Sequence, residues 1–340
     1  MQIQTIDLKL YKSIVTNNSL TNGGYLSNVQ LDSSNVINNL FDDVLKEEST
    51  IGSAVYRKLF CKNENAAGNI LYSSKAWIDK PTPATGDYFT IFLGTASDTQ
   101  ATITPTRMYG VVLLTNSISI STSSILVTVE NSELLVGGAS SIIQVGDSIR
   151  ISDKLTPNDS GNEEWMTVTS IDNTTDLNML VGISTPTTHA YQVSNNAKIS
   201  SLLPLGNIQA HVTGWTVTST GGTCDQTGLT LDNIGTIDDT ITCTILTGGT
   251  TFSVVSTQLG SLPNGSIAAT YTYANSNFSG HNYFSLINTA WGGTFAVNDV
   301  VHFVTHSSTA SIWLKRTVVP SASSKSNNNT TIAFNGRSIV

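Results

Sequence analysis

The sequence predicts an all-β protein, with antiparallel β-sandwich strands, an inserted small β-barrel and a short N-terminal helix. Three observations predict this fold class. Apolar and polar residues alternate with a period of two over most of the chain after residue 53. Threonine, valine and isoleucine, which favour strands, dominate these runs. Turn signals containing glycine separate the runs of the C-terminal part, at 221–222, 248–249, 264–265 and 292–293.

The N-terminal part, residues 1–117, is expected to contain an arm, one short helix and the first sandwich strands. Apolar residues recur at helical spacing over residues 36–48, at Val36, Leu40, Val44 and Leu45. Ser33 or Ser34 can cap the start of this helix. Three runs with strand alternation follow, at 54–63, 70–79 and 87–94.

Residues 118–203 are expected to form a small antiparallel barrel. Short strand-like runs separated by polar turns lie at 124–131, 142–153, 164–172, 177–183 and 197–203. The flanks on both sides are rich in strands, so we interpret the barrel as an insertion into the sandwich. A plain tandem domain is the alternative.

Residues 204–319 read as further antiparallel sandwich strands, and residues 320–340 as a polar C-terminal arm that is flexible or is ordered only by a partner. Between Lys198 and Lys315 the sequence contains no Lys, Arg or Glu. Hydroxyl and amide groups can be buried against another protein at less cost than unpaired charges. The sequence therefore predicts that this region meets neighbouring molecules.

Composition excludes several classes of partner. The net charge is −8 and no basic cluster occurs, so nucleic-acid binding is not expected. No apolar run approaches the roughly 18 residues of a membrane helix, and the first residues lack a secretory signal. The three cysteines show no CxxC spacing. Cys224 and Cys243 are interpreted as small buried thiols, with a cross-strand disulfide as the alternative.

The sequence contains no motif that carries a reaction, so we expect neither an enzyme nor a cofactor. Nucleophile-elbow, P-loop and HExxH patterns are all absent. Neighbouring carboxylates occur at 163–164, 238–239 and 42–43, but adjacent strand residues point to opposite faces and cannot act as a glycosidase pair. A polysaccharide-cleaving enzyme using Asp238 and Asp239 is the alternative.

Three binding sites remain as hypotheses. A calcium loop at 153–164 would use Asp153, Asp159 and Glu163, or the loop is a solvated hairpin tip. His302 and His306 share one strand face and would bind a metal with His281, or they are surface histidines. Trp291, beside two glycines, is expected to be exposed and would contact a glycan; otherwise the aromatics of this region are core residues.

Several segments together resemble a family of virion structural proteins encoded among the head and tail genes of tailed bacteriophages. They are TNGGYLS (21–27), NNLFDDV (38–44), SAVYRKLFCKN (53–63), WIDKPTPATGDYFTIFLGTASDTQA (77–101), VGDSIRISD (145–153), GNEEWMTVTSI (161–171) and SIWLKRTVVPS (311–321). The YRKLFCKN strand, with the LY and WID residues that follow it, resembles an Ig-like sandwich edge.

The resemblance implies a non-enzymatic structural subunit of a virion, in the tail, baseplate or neck region, that is made in the host cytoplasm and assembles as a homo-oligomer. A capsid decoration protein and a carbohydrate-binding module at a cell surface are the alternatives. The expected partners are copies of itself, other virion proteins and a host surface glycan.

Overall fold

The computed structural model describes residues 2–31, 38–105, 107–131, 134, 141–156, 159–175, 177–325 and 328–338. It confirms the predicted fold class, with several antiparallel sheets, one closed six-stranded barrel and little helix. Among the described residues, α1 (Lys46–Ile51) is the one α-helix. Short 3-10 turns lie at Thr5–Asp7, Val193–Asn195, Gln226–Gly228 and Asn288–Ala290.

The strands fall into four groups along the chain. The first group is β1 (Leu8–Val15), β2 (Gly23–Gln30), β3 (Ser53–Asn63), β4 (Leu71–Lys80) and β5 (Asp87–Leu93). The second is β6 (Val111–Leu114), β7 (Ser124–Thr128), β8 (Ser148–Ser152), β9 (Glu163–Asn173), β10 (Asn178–Ile183), β11 (Lys198–Ser201) and β12 (Leu203–Ile208).

The third group is β13 (His211–Thr218), β14 (Gly222–Cys224), β15 (Leu229–Thr230), β16 (Asp239–Ile245), β17 (Thr251–Ser256), β18 (Gly260–Ser266), β19 (Tyr271–Ala274), β20 (Asn282–Leu286), β21 (Trp291–Gly293) and β22 (Val300–His306). The last group is β23 (Thr309–Val318) and β24 (Thr331–Ser338).

A sandwich contains the first strand, β1, and the last strand of the described residues, β24. One sheet has the strand order β2-β1-β3-β23-β5 and the other has the order β12-β4-β24. Their inner faces share one core, in which Leu59, Ile91 and Leu314 of the first sheet join Ile78 and Leu203 of the second. The strands expected at 54–63, 70–79 and 87–94 are β3, β4 and β5.

The barrel closes in the order β10-β7-β6-β11-β8-β9 around an aliphatic core. Its first strand, β6, begins at Val111, ahead of the expected boundary at 118. The chain leaves the sandwich after β5 and re-enters it with β12, so the barrel is an insertion and not a tandem domain.

A second insertion runs from β13 to β22. Its main sheet has the order β13-β22-β16-β17-β18, and two smaller sheets have the orders β15-β20-β19 and β14-β21. These sheets share an aromatic core that includes Phe252, Phe284 and Phe303. The unit expected at 204–319 is therefore divided, because β12 and β23 at its two ends belong to the sandwich.

The helix expected over residues 36–48 is wrong for residues 38–45, and residues 36–37 lie outside the described ranges. Leu40 and Phe41 do pack on the sandwich core, but from a non-helical segment. The carbonyl of Leu40 accepts a hydrogen bond from Arg57 Nε at 2.8 Å, and that of Asp42 accepts one from Arg316 at 2.8 Å. Carbonyls bound by arginines of neighbouring strands do not need helical partners.

The prediction of flexible terminal arms is also partly wrong, because both expected arms contain strands of the sandwich. Residues 8–15 and 23–30 of the expected N-terminal arm are β1 and β2. Residues 331–338 of the expected C-terminal arm are β24, which pairs with β4. The flanking 32–37, 326–327 and 339–340 lie outside the described residues.

The three cysteines are free thiols and buried. Burial raises the pKa of Cys243 to about 12, so the thiolate that attacks disulfides is scarce at neutral pH. Within the described ranges, none of the helices has the length and apolar character needed to cross a bilayer.

Candidate assembly surface

The main sheet of the second insertion turns one face to solvent. Along β22 the residues Val301, Phe303 and Thr305 are buried, and those between them are partly exposed. One solvent-side row crosses all five strands through successive cross-strand partners, namely Thr216, His302, Thr242, Val255 and Ser261. We call this side the threonine face; its other members are His211, Thr213, Thr218, Thr240, Thr244, Ser253, Val300, Val304 and His306.

A β-bulge keeps the threonines of β13 on this face. Thr213 and Thr216 are three residues apart, so a regular strand would point them in opposite directions. The register shifts between them, and Gly214 in the bulge adopts φ +60°, a conformation that glycine tolerates without strain. Trp215 consequently packs on the core, against Phe303 at a ring distance of 5.1 Å, while both threonines face solvent.

None of the side chains of the threonine face is an acid, a lysine or an arginine. Carboxylates of this unit accept hydrogen bonds at positions away from this face. Asp239 is buried and accepts hydrogen bonds from Ser256, Thr257 and the backbone of Gln258. Asp299 accepts from Ser219 and from the backbone of Ala296. Only Asp238 lies at the edge of the face, beside His306.

Three of the five histidines of the chain lie on this face. His306 stacks on His211 with 4.5 Å between ring centroids, and its Nε2 is 2.8 Å from the Thr213 hydroxyl. The Nδ1 atom of His306 is 3.5 Å from a carboxylate oxygen of Asp238. His302 Nδ1 is 3.2 Å from the Thr242 hydroxyl.

The order hydroxyl, imidazole, carboxylate is also the order of a catalytic triad. Here the members lie on an open sheet face, and they line neither the cavity beside Phe89 and Leu134 nor the one beside Phe41 and Arg57. Asp238 is further bound by Ser307. The contacts therefore orient the His306 ring without forming a substrate pocket.

The structure does not assemble the predicted metal site. His302 and His306 share one face, but His281 bonds Asp232 at 2.6 Å in a separate loop. Among the described residues, no group of three or more histidine, cysteine or carboxylate side chains could hold a metal ion.

The carboxylates of the predicted calcium loop already bind other groups of the protein. Asp153 accepts from the backbone of Asn162 at 2.6 Å, and Asp159 accepts from the backbone of Thr156 at 2.8 Å. Glu163 bridges Arg150 and Lys154, with both contacts at 2.7 Å. A carboxylate neutralised by two cations is a poor calcium ligand. Residues 157–158 lie outside the described ranges.

Trp291 is not the exposed aromatic that we expected. Its ring stacks on Phe252 at 4.8 Å and contacts Phe295 edge-on at 5.4 Å. Its indole nitrogen is buried and has no hydrogen-bond partner among the described residues. Trp291 is therefore partly buried and extends the aromatic core.

The exposed tryptophan of the molecule is Trp165, on the outer side of β9, with 51% of its surface accessible. It meets Trp77 of the sandwich edge-on at 5.3 Å. Arg150 lies within 5.8 Å of both rings and pairs with Asp79 at 2.6 Å. The sequence reasoning missed this cluster because it joins β4 to the barrel, which no local spacing reveals.

A second polar contact joins the sandwich to the C-terminal insertion. The Lys62 ammonium is buried, donates to the carbonyl of Ile234 at 2.7 Å and lies 3.6 Å from the centre of the Phe278 ring. Burial lowers the pKa of Lys62, and the nearby Glu64 carboxylate at 3.2 Å counteracts this effect. Lys62 and the loop containing Phe278 therefore hold these two units together.

Comparison with known proteins adds no relative: no family model, curated protein or solved structure matches this chain.

Proposed function

We propose that this chain is a non-enzymatic structural subunit of a tailed-phage virion, in the tail, baseplate or neck region, that assembles with copies of itself and other virion proteins. The observation that carries the proposal is the threonine face. A surface five strands wide without a formal charge is unusual in a chain with a net charge of −8. Such a surface is inexpensive to bury against protein, because its hydroxyl groups can be paired again.

The charged residues support the same proposal. Arg150, Lys58 and Lys62 are buried and paired within the molecule, where they bind carboxylates or carbonyl groups. Asp79 and Asp87 are likewise buried and bind arginines. These groups fix the positions of strands and units relative to one another, which suits a rigid subunit of an assembly.

Inactivation of the gene in the phage that encodes the chain tests this proposal. We expect particles that lack one defined substructure in electron micrographs, and we expect plasmid-borne wild-type protein to restore it. Particles of normal structure and infectivity would overturn the proposal. The same images assign the location, since loss of a capsid surface feature would favour a decoration protein.

Glycan binding at a cell surface is a second candidate function, and Trp165 is the observation that favours it. Its exposed ring supplies an aromatic stacking surface of the kind that binds sugar rings. A Trp165→Ala variant should lose retention on host-cell glycans. A Leu155→Ala variant, at another exposed apolar residue of the barrel unit, is the control. Equal retention of both variants and wild type would remove this candidate.

A further inference from the structure

We infer that the threonine face binds the threonine face of a second copy of this chain. This inference rests on the surface used for the proposed function and names its partner. Elimination of other occupants is the first argument. Nucleic acid and anionic lipid need lysine or arginine, and the face has neither. Sugar stacking and membrane insertion need aromatic or large apolar side chains, and the outward residues are Thr, Ser, Val and His.

The net charge of the chain also favours a second copy as the partner of this face. Two copies with a net charge of −8 each repel one another wherever their acidic surfaces meet. The threonine face is a surface through which they can approach without placing like charges in contact. A strongly charged partner of either sign would find no matching charge on this face.

The hydroxyl groups of the face further favour a second copy as its partner. A threonine hydroxyl both donates and accepts, so a face rich in threonine is complementary to itself. Interfaces related by a two-fold axis require this property, because the same patch serves both molecules. The row Thr216, His302, Thr242, Val255 and Ser261 supplies such groups across all five strands.

The area is sufficient for a specific contact. Strand spacing and rise give the face a size of roughly 24 by 20 Å. Two such faces bury on the order of 1,000 Å², which is near the lower limit for a specific interface. We therefore expect a reversible dimer, which particle assembly would strengthen through its many copies.

Sedimentation velocity of the purified protein tests the inference. Wild type should form dimers at pH 7.5. Thr242→Arg places a charge at the centre of the face and should weaken association at least tenfold at pH 7.5. Thr169→Arg, on an exposed position of β9 in the barrel, is the matched control and should dimerise like wild type. Circular dichroism verifies folding, and Val255→Arg serves as the second variant if Thr242→Arg does not fold.

A wild-type protein that remains monomeric at roughly 100 μM, where a complex with a Kd in the micromolar range is mostly formed, would overturn the inference. Association that is equally strong in Thr242→Arg, Val255→Arg and the control would also overturn it. Monomeric protein that is nevertheless present in particles contradicts this inference alone, whereas a dimer that is absent from particles contradicts the proposed function alone.

Discussion

At the scale of single residues, buried charge joins the barrel to the sandwich. The Arg150 and Asp79 side chains are 1% and 0% exposed and are 2.6 Å apart. Removal of Asp79 would leave the buried Arg150 guanidinium paired with Glu163, which is 32% exposed, and without its fully buried partner. The pair therefore fixes the relative position of two units more than it adds net stability.

We expect Asp79→Ala to lower the free energy of unfolding by about 3–5 kcal/mol, because Arg150 would remain buried. Glu163→Ala removes another contact of the same arginine, but Glu163 is 32% exposed. That control should cost less than about 1 kcal/mol. Urea denaturation followed by tryptophan fluorescence measures both values, and similar losses in the two variants would contradict this role for Asp79.

The second residue-scale prediction concerns Glu164. Although burial alone would raise the pKa of this carboxyl, bonds from the backbone of Thr188 and His189 and from Tyr191 hold it below 4.5. A folded pKa below the unfolded one gives stability that is present above pH 4.5 and is lost as the pH falls through the folded value.

Wild type should therefore lose more stability between pH 5 and pH 3 than Glu164→Gln, whose side chain cannot be protonated in this range. Glu47→Gln, at a residue of α1 that is not buried, is the control and should keep the wild-type acid sensitivity. The midpoint of urea denaturation at each pH reports the difference. Parallel curves for wild type and Glu164→Gln would show that this carboxylate contributes nothing to acid stability.

At the scale of elements, alternation predicted strands well and helical spacing failed. In β16 the residues Ile241, Cys243 and Ile245 are buried and the threonines between them are not, as a period of two requires. Residues 38–45 have helical spacing, but two of their carbonyls, those of Leu40 and Asp42, accept hydrogen bonds from arginine side chains. These arginines, Arg57 and Arg316, lie on β3 and β23, outside the segment. Such long-range partners are invisible in a local pattern.

The C-terminal strand is the element whose role differs most from the sequence expectation. Ile332 and Phe334 of β24 pack against the sandwich core, and the strand covers one edge of β4. Deletion of residues 326–340 should therefore destabilise the sandwich itself, and it should increase aggregation through the exposed edge of β4. Asn335→Ala, at an exposed position of β24, should leave stability within about 0.5 kcal/mol of wild type. A deleted protein that does not aggregate and has unchanged thermal stability would restore the interpretation as a free arm.

At the scale of the whole molecule, two units are inserted into one sandwich. The ends of the second insertion lie side by side, because His211 and His306 are paired residues of neighbouring strands. A unit with adjacent ends and its own core can fold alone. The sequence could not give this boundary, since β12 and β23 share the strand pattern of the insertion although they pack in the sandwich core.

Residues 209–308 expressed alone should therefore give a folded protein with dispersed amide resonances. Residues 204–319, the unit expected from the sequence, carry two strands without their partners and should aggregate. If only the longer fragment folds, the division of the chain between sandwich and insertion is incorrect.

The proposed function requires that this chain be present in several copies in a virion. Quantitative mass spectrometry of purified particles, with a known particle protein as the internal standard, tests this requirement. We expect the chain at a fixed number of copies per particle, several to a dozen for a neck or baseplate ring and hundreds for a capsid decoration protein. Purified infectious particles without the chain would contradict the claim.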